Sequence, residues 1–377
     1  MRVAIDSRFL LPHLEGFGRF TREVASRLIK LHPEVEFDLL FDRKPLPIYH
    51  FGPNQRSIIL PPPTRHWILY EVWWRYSMPW YVSRHKPKVL FATYAQVSRK
   101  VADRVPTVAF IHDVGFARYP EHIPKDWYRF YMRTTWTVIE KAKLLIVNSF
   151  SVKNDLLELF DADTTRIRIV YNGCDGEIFK PLLPEDILSV RQRYTQGVPY
   201  ILYVGSLHPR KNPVRLLQAY DILRESYTDP LRFILVSRVM FGKREIEEAY
   251  NRLRTKQELI FLSSVSDREL AELYGAAAVV VYPSLYEGFG YPVVEAMACG
   301  VPVVISRVSS LPEVGGEAAF YVNPYDAEDI AKGIREALVE PLTCRQVRIA
   351  RGQEHVRQFT WSRCVQQIWE ALLEVAH

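Results

Sequence analysis

Residues 282–302 read YPSLYEGFGYPVVEAMACGVP, and this stretch says more about the fold than any other part of the chain. The apolar run Ala278–Tyr282 that leads into it has the length and valine content of a buried strand. A glycine-rich segment follows, and Pro292 marks the first turn of a helix, where proline is favoured. A strand, a glycine loop and a helix in this order are typical of α/β proteins whose loop approaches a ligand.

Two carboxylates frame this loop. Glu287 lies in the loop itself, and Glu295 lies about one turn into the helix. Carboxylates placed in this way accept hydrogen bonds from two separated diols, such as those of a hexose and a ribose. The backbone of Gly288, Phe289 and Gly290 comes close to a ligand, with amides that point toward an anion or a hydroxyl-rich group. The alternative is a helix N-terminus that carries acids because the helix dipole favours them.

Short apolar runs alternate with helical stretches along the whole chain, and the pattern occurs twice. The first half contains six predicted strands: Arg2–Asp6, Glu36–Phe41, Val89–Phe91, Thr107–Ile111, Leu144–Asn148 and Ile167–Tyr171. The second half contains six more: Tyr200–Val204, Arg232–Val236, Leu259–Leu262, Ala278–Tyr282, Val301–Ile305 and Ala319–Val322. Helical periodicity lies between them, as in Phe20–Lys30, Val214–Arg224 and Asp267–Tyr274. This alternation predicts the α/β class with two Rossmann-like, doubly wound parallel sheets.

The break between the halves is predicted at Pro181–Pro184, where two prolines interrupt both strand and helix. The first domain is therefore assigned residues 1–181 and the second residues 182–361. By pattern alone, the final helix Trp361–Ala376 packs on either half. Two sheets whose strand carboxyl ends face each other form one cleft, where ligands of open α/β folds bind.

Composition, charge and cysteine pattern exclude several classes of protein. The 377 residues carry 49 Lys and Arg against 43 Asp and Glu, a net charge of +6, with no nucleic-acid signature. No apolar run approaches the roughly 18 residues of a membrane span, and no signal-peptide pattern is found at Met1. The four cysteines form no C-x-x-C pair and no cluster with histidine. We therefore expect a cytoplasmic protein without disulfides and without a nucleic-acid partner.

A second candidate site is the segment Gly205-Ser-Leu-His-Pro-Arg-Lys-Asn212, which directly follows a predicted strand. Gly205 permits a tight turn from strand to helix, and Ser206 belongs to the same turn. Arg210 and Lys211 place two cations at the helix start, where they oppose the helix dipole. A bound anion relieves that conflict, and a diphosphate is the natural candidate. The alternative is a solvated basic loop.

Gly16-Phe-Gly-Arg-Phe-Thr21 is similar to a dinucleotide fingerprint, but Thr21 stands where the third glycine belongs. Asp42, near the end of the second predicted strand, keeps an NAD(P)-dependent oxidoreductase open as an alternative. A flexible loop that contains Gly16 and Gly18 is also what close approach to a sugar or a phosphate requires.

His112 and Asp113 follow a predicted strand at its carboxyl end, which is the end expected to face the cleft. His112 is therefore a candidate site residue, and a structural histidine is the alternative. Asp161 and Asp163 are similar to an acidic metal-binding pair, but they lie in a polar helix-to-strand connection. We predict no metal site.

The segment Arg65–Lys88 is rich in Trp, Tyr, Arg and His. One interpretation is an amphipathic helix that packs its aromatic side chains into the core. The other is a surface of the first domain that meets a lipid-linked acceptor or the membrane interface.

Together these residues resemble the family-4 retaining glycosyltransferases of the GT-B fold, and the likeness covers nearly the whole chain. The run Glu287–Glu295, EGFGYPVVE, matches that family's paired-glutamate motif, and Gly205–Asn212 resembles its phosphate-binding turn. The pairs His112-Asp113 and Asn148-Ser149 and the stretch Tyr171–Asp175 fall where the family has recurrent interdomain elements. The resemblance assigns the final helix, residues 362–377, to the first domain.

The resemblance implies a role for each residue of the second domain's two motifs. Arg210 and Lys211 neutralise the donor diphosphate, which is also the leaving group. Glu287 and the backbone of residues 288–290 hold the donor sugar, and Glu295 binds the ribose hydroxyls.

In the first domain, the resemblance implies that Gly18 approaches the phosphates and that His112 contacts the sugar near the reacting carbon. Many relatives have an arginine where this chain has Ser206. Arg210 is the candidate to supply that charge.

The implied reaction is a retaining, metal-independent transfer of a hexose from a nucleotide-sugar to a glycan or lipid-linked acceptor. The nucleotide-sugar is a substrate, so no cofactor is expected. The motifs look most like those of mannosyltransferases that use GDP-mannose for bacterial surface polysaccharides. An oxidoreductase and a non-catalytic nucleotide-sugar-binding protein remain as alternatives.

Overall fold

The computed structural model describes residues 1–11, 16–64, 66–237, 244–263 and 265–377. These residues form two compact units, one of Met1–Gly173 with Trp361–His377 and one of Cys174–Thr360. The chain leaves the first unit at Gly173, a few residues before the break predicted at Pro181–Pro184. A Cβ at Gly173 would lie 2.3 Å from the backbone nitrogen of Trp361, so only glycine fits where the outgoing and returning segments pack together.

The first unit contains a parallel sheet in the order β3-β2-β1-β4-β5-β6-β7. Its described strands are β1 Arg2–Asp6, β2 Glu36–Phe41, β3 Gln55–Ile59, β4 Val89–Ala92, β5 Thr107–Ile111, β6 Leu144–Val147 and β7 Ile167–Ile169. The helices that precede the crossing are α1 Gly16–Leu31, α2 Trp67–Val72, α3 Met78–His85, α4 Arg99–Ala102, α5 Gly115–Arg118, α6 Lys125–Lys141 and α7 Phe150–Phe160. The central strands are buried almost throughout, as expected of a sheet covered on both faces.

The second unit contains a parallel sheet in the order β10-β9-β8-β11-β12-β13. Its described strands are β8 Tyr200–Val204, β9 Arg232–Val236, β10 Leu259–Leu262, β11 Val279–Tyr282, β12 Val303–Ser306 and β13 Phe320–Val322. Its described helices are α8 Pro184–Thr195, α9 Pro213–Ser226, α10 Arg244–Arg252, α11 Asp267–Ala276, α12 Tyr291–Ala298, α13 Leu311–Gly315, α14 Ala327–Val339 and α15 Leu342–Val356. The predicted fold class, α/β with two doubly wound parallel sheets, is confirmed.

The final helix, α16 Trp361–Ala376, packs in the first unit against α1 and strands β4, β5 and β6. Its aromatic side chains make the contact: Trp369 stacks on His32 with ring centroids 3.9 Å apart, and Trp361 lies 6.3 Å from Phe20. Apolar residues spaced for one helix face therefore explain why this helix returns to the first sheet.

Besides the unit boundary and the end residues of several strands, two features differ from the sequence predictions. Strand β3 was not predicted, because its sequence, QRSII, is polar in its first half and it forms the sheet edge. The flexible loop predicted around Gly16 and Gly18 is wrong, because both glycines lie in the first turn of α1. Phe17, Phe20 and the residues beyond them extend the helical periodicity back to Gly16, and helix termini tolerate glycine.

Candidate functional site

The strand order of each sheet reverses at one place, and the two strands that meet there in the second unit are β8 and β11. The predicted phosphate turn follows β8, and the paired-glutamate loop follows β11. The loops that follow the two strands at such a reversal run in opposite directions, and a crevice opens between them at the carboxyl ends of the strands. The topology therefore brings the two motifs together.

Hydrogen bonds join the two loops directly. The Leu285 amide donates to the Arg210 carbonyl at 2.8 Å. The Asn212 side-chain amide donates to the Pro283 carbonyl at 3.0 Å and to the Pro324 carbonyl at 2.6 Å. Asn212 adopts a left-handed conformation with φ 62° at the start of α9, which asparagine tolerates better than most residues. This residue thus fixes the phosphate turn against the end of β11.

Both predicted cations contact Glu287. The Lys211 ammonium lies 2.6 Å and 2.7 Å from the two carboxylate oxygens of Glu287. Arg210 Nη1 lies 3.2 Å from one of them and donates to the Tyr286 carbonyl at 2.6 Å. Glu287 is only 5% exposed, and the half-buried side chains of Lys211 and Arg210 pair with it in a cluster of two cations and one carboxylate.

The charges in this cluster determine the ionisation of Glu287. Burial by itself raises the pKa of the carboxyl, but the charges of Lys211 and Arg210 and the hydrogen bonds from Lys211 outweigh it and lower the pKa to about 2. Glu287 is therefore ionised at neutral pH and supplies the anion that two cations before a helix N-terminus require. The cluster keeps a surplus of positive charge, which suits a further anion.

Two serines that sequence reasoning missed hold the glutamate loop. The Glu287 amide donates to the Ser309 hydroxyl at 2.9 Å. The Ser310 hydroxyl lies 2.9 Å from the Glu287 carbonyl and 2.8 Å from the Phe289 carbonyl. Gly290 then enters α12 with φ +115°, and a Cβ there would lie 3.0 Å from a leucine side chain. Gly288 lies between these fixed points, so the loop has a defined backbone.

Glu295 lies on α12, as predicted, and is 3% exposed. Its carboxylate lies beside the Tyr274 hydroxyl: burial and the charge of Glu295 together raise the pKa of Tyr274 well above its usual value. The two glutamates therefore have different surroundings, since Glu287 is paired with cations and Glu295 lies by a neutral phenol.

The phosphate turn is tightly packed at its start. The Tyr203 hydroxyl donates to the Ser206 carbonyl at 2.8 Å. A Cβ on Gly205 would lie 3.1 Å from the same hydroxyl, so a larger residue would press on this bond. The Ser206 side chain is exposed. Arg210 and Lys211 follow in a single 3₁₀ turn, Pro209–Lys211, immediately before α9.

His112 lies in the first unit, directly after β5, and is 7% exposed. Its Nε2 lies 2.9 Å from the Thr93 carbonyl, which only accepts, so Nε2 carries the proton. Burial lowers the pKa of His112 to about 4, against the Thr93 hydrogen bond and the charge of Asp113. The imidazole is therefore neutral at pH 7, with the lone pair on Nδ1.

Aromatic rings surround His112. The rings of Phe17, Phe20 and Phe110 lie 4.5–4.9 Å from it, centroid to centroid. Phe17 lies between Gly16 and Gly18, so the start of α1 is adjacent to His112. A Cβ on Gly16 would meet nothing within 4 Å, whereas Gly18 is buried. The first-unit candidates thus lie together at the carboxyl side of β1 and β5.

The remaining predictions concern metals, cysteines and membranes. Within the described ranges, no group of three or more His, Cys, Asp or Glu side chains is arranged to hold a metal ion. Asp163 instead caps the short turn Thr164–Arg166 by accepting from the Thr165 amide at 2.9 Å. All four cysteines are free thiols. Among the helices of the described residues, none has the length and hydropathy to cross a bilayer.

Comparison with known proteins matches both units. The family described as Glycosyl transferases group 1 matches residues 187–354, and Glycosyltransferase Family 4 matches residues 14–177. The chain is 36% identical to the O-antigen chain mannosyltransferase B of Escherichia coli, over 69% of this chain and 68% of that protein. It is 27% identical to the O-antigen chain mannosyltransferase RfbU of Salmonella typhimurium, over 70% of this chain and 68% of that protein.

Solved structures agree in fold. Sucrose-phosphate synthase from Thermosynechococcus elongatus superposes with a TM-score of 0.81 at 20% identity, covering 99% of this chain and 98% of that one. HepE of Anabaena, in complex with UDP-glucose, gives a TM-score of 0.79 at 20% identity over 99% of this chain and 100% of that one. The chain belongs to the group 1 glycosyltransferases, is an enzyme of that class and has the GT-B fold. This membership sets the oxidoreductase alternative aside.

Proposed function

We propose that the enzyme transfers mannose from GDP-mannose to a glycan or lipid-linked acceptor in the synthesis of a cell-surface polysaccharide. The observation that carries the proposal is the ion-paired cluster of Arg210, Lys211 and the buried Glu287 at the carboxyl ends of β8 and β11. Two cations held at the start of α9 suit a diphosphate, and a carboxylate within reach of both suits the hydroxyls of the attached sugar.

In this proposal the second unit binds the donor. Lys211 and Arg210 contact the diphosphate, Glu287 and the backbone of residues 288–290 hold the sugar, and Glu295 accepts from the ribose. The phosphate gains negative charge as the sugar leaves, so fixed cations stabilise the transition state more than the ground state. We propose that no metal is needed, because the two side chains supply the positive charge.

The first unit binds the acceptor in this proposal, and Gly18 and His112 approach the donor. The acceptor hydroxyl attacks the anomeric carbon on the face from which the diphosphate departs, and a leaving phosphate oxygen takes its proton. Configuration is then retained. A neutral His112 contributes a lone pair at Nδ1 for a sugar hydroxyl, rather than a proton for catalysis.

The choice of mannose rests on the names of the two O-antigen mannosyltransferases to which the chain is similar. The nucleotide of the donor needs its own test, because the Anabaena protein of the same fold is in complex with UDP-glucose. A thermal-shift panel of GDP-, UDP- and ADP-sugars with NAD(P) as a control tests it, because a ligand at 100 times its Kd stabilises by about 2.7 kcal/mol. A shift with GDP-mannose followed by its turnover supports the proposal, and selective turnover of another nucleotide-sugar contradicts it.

We further propose that the first unit meets the inner face of the membrane through α3 and the π-helical segment before it, Trp73–Ser77. Tyr76 and Trp80, one helical turn apart, are 61% and 60% exposed, and exposed Arg75 and Arg84 flank them. Exposed aromatic residues with adjacent cations suit an anionic lipid interface. Trp73 and Trp74 of the same segment are buried, so the segment also packs into the core, as the other interpretation predicts.

Co-sedimentation with phosphatidylglycerol-containing vesicles tests the membrane proposal. Tyr76→Ser with Trp80→Ser should abolish binding. The matched control is Tyr325→Ser, which removes a 54% exposed tyrosine of the second unit and should leave binding unchanged. Equal binding by the double variant and the wild type would contradict the proposal.

A further inference from the structure

Lys211 has one contact to which the proposed transfer gives no role. Its ammonium donates to the Tyr282 hydroxyl at 2.6 Å, and Nζ lies 5.0 Å from the centroid of the same ring. Tyr282 is the last residue of β11 and is 2% exposed. From its sequence, this residue is predicted only to end a strand. Its hydroxyl nevertheless reaches the cation at the centre of the site.

The geometry of Lys211 shows what donor binding has to change. An ammonium carries three N–H donors. Three oxygen atoms accept from it: the Tyr282 hydroxyl at 2.6 Å and the Glu287 oxygens at 2.6 Å and 2.7 Å. A diphosphate that binds Lys211 must therefore replace existing partners. The carboxylate is the partner to be replaced, because its charge repels the phosphates and the sugar hydroxyls offer it new donors.

The Tyr282 contact is of a different kind. Burial and the charge of Glu287 raise the pKa of Tyr282 well above its usual value, so the hydroxyl stays neutral. A neutral acceptor does not repel a phosphate and does not neutralise the ammonium. It can keep its hydrogen bond while the other two N–H groups change partner.

We propose that Tyr282 is a positioning residue, which holds the Lys211 ammonium in place while the donor diphosphate replaces Glu287 and Glu287 turns to the donor sugar. This inference rests on the proposed function, because it requires that the diphosphate binds Lys211. Without the tyrosine hydroxyl, Lys211 would lose a fixed neutral acceptor at the moment of exchange. The long side chain would then lose the fixed orientation from which it stabilises the leaving group.

A double-mutant cycle tests whether Tyr282 acts through Lys211. Tyr282→Phe should lower kcat/KM about tenfold, as expected for the loss of one hydrogen bond to a charged group. In the Lys211→Ala background, the same substitution should change kcat/KM by less than about twofold, since its partner is gone. A tyrosine that only supports the fold would produce the same loss in both backgrounds.

The matched control is Tyr200→Phe. Tyr200 is a buried residue of β8 whose hydroxyl donates to the Leu273 carbonyl at 2.7 Å, so the substitution also removes one buried hydrogen bond. Its effect on kcat/KM should be small and equal in both backgrounds. Thermal unfolding of each variant separates a loss of folded protein from a loss of positioning.

Two outcomes overturn the inference: a Tyr282→Phe enzyme with wild-type kcat/KM, or losses that multiply in the double variant. Calorimetry also measures the affinity of the same four proteins for a nucleoside diphosphate. We expect the effects of the two substitutions on this affinity to be non-additive as well. If the wild type turns over no nucleotide-sugar but the cycle is non-additive in binding, the proposed function fails and the positioning role stands. If the enzyme is active but the cycle is additive, only the positioning role fails.

Discussion

The carboxyl ends of the two sheets hold candidate site residues of opposite character. In the second unit, Glu287 is buried against Lys211 and Arg210, and its pKa is lowered to about 2. In the first unit, His112 is buried among aromatic rings, and its pKa is lowered to about 4. At neutral pH the Glu287 carboxylate is therefore ionised, whereas the His112 imidazole is neutral.

The difference in ionisation between Glu287 and His112 comes from their partners and not from their burial, because both side chains are less than a tenth exposed. Burial disfavours the charged form of either group. Glu287 overcomes that cost through two cations, whereas His112 has one carbonyl partner and loses its proton. We assign charge stabilisation to the second unit and neutral hydrogen bonding to the first.

The largest effect is expected from Lys211→Ala, which removes the cation that contacts both oxygens of Glu287. Turnover should fall on the order of 10²-fold or more, since the departing diphosphate loses fixed charge stabilisation. Lys332→Ala is the control, because this exposed lysine of α14 makes only a weak 4.0 Å pair with Glu336. A turnover of Lys211→Ala within about threefold of wild type, measured by steady-state kinetics, would show that the lysine does not stabilise the leaving group.

The two glutamates should separate in their kinetic effects. Glu295→Ala should raise the donor KM about ten- to a hundredfold, because a charged hydrogen bond to ribose, remote from the reacting carbon, is worth roughly 1.5–3 kcal/mol in both states. Glu287→Ala should lower kcat more steeply, because it contacts the sugar whose ring carbon gains positive charge. An unchanged donor KM in Glu295→Ala, together with a pure KM effect in Glu287→Ala, would reverse the assignments.

His112 should make the stability of the protein depend on pH. The pKa of His112 in the folded protein, about 4, lies below its usual value of 6.5, so the unfolded chain binds a proton more readily than the folded one. The contribution of His112 to the free energy of unfolding is therefore complete above pH 6.5 and is lost as the pH falls toward 4. The full contribution is about 3 kcal/mol. Urea unfolding of wild type and His112→Gln at several pH values measures it. The stability difference between the two should shrink over this range, and parallel curves would show that His112 titrates normally.

No effect is expected from chelation. Arg210 and Lys211 supply the positive charge in this account, so transfer in excess EDTA should proceed at the untreated rate. A complete loss that Mn²⁺ or Mg²⁺ restores would show that a metal stabilises the diphosphate instead.

Much of the fold was predictable because buried strands have a recognisable pattern of apolar residues in the sequence. Strands buried on both faces, such as β8 and β11, read as continuous apolar runs and were placed to within a residue. Strand β3 was not predicted, because edge strands carry polar residues and lack a continuous apolar run. The start of α1 was misplaced because glycine argues for a loop, whereas the neighbouring phenylalanines fix a helix through tertiary contacts.

The site was predictable only where its residues are close in sequence. Arg210, Lys211, Glu287 and Glu295 stand in two short motifs, which local spacing identifies. Ser309 and Ser310 support the glutamate loop from more than twenty residues away, and Tyr282 at the end of β11 contacts Lys211 in the turn that follows β8. Such contacts depend on strand order and register, which no local pattern of residues records.

The affinity for a nucleoside diphosphate tests the division between the two units most directly. Calorimetric titration with GDP, or with whichever nucleoside diphosphate the active donor releases, compares the wild type with Lys211→Met and His112→Gln. We expect Lys211→Met to weaken binding by about tenfold or more, the loss expected of a charged hydrogen bond, and His112→Gln to stay within about threefold of wild type. Unimpaired binding by Lys211→Met, or a larger loss in His112→Gln, would contradict that division.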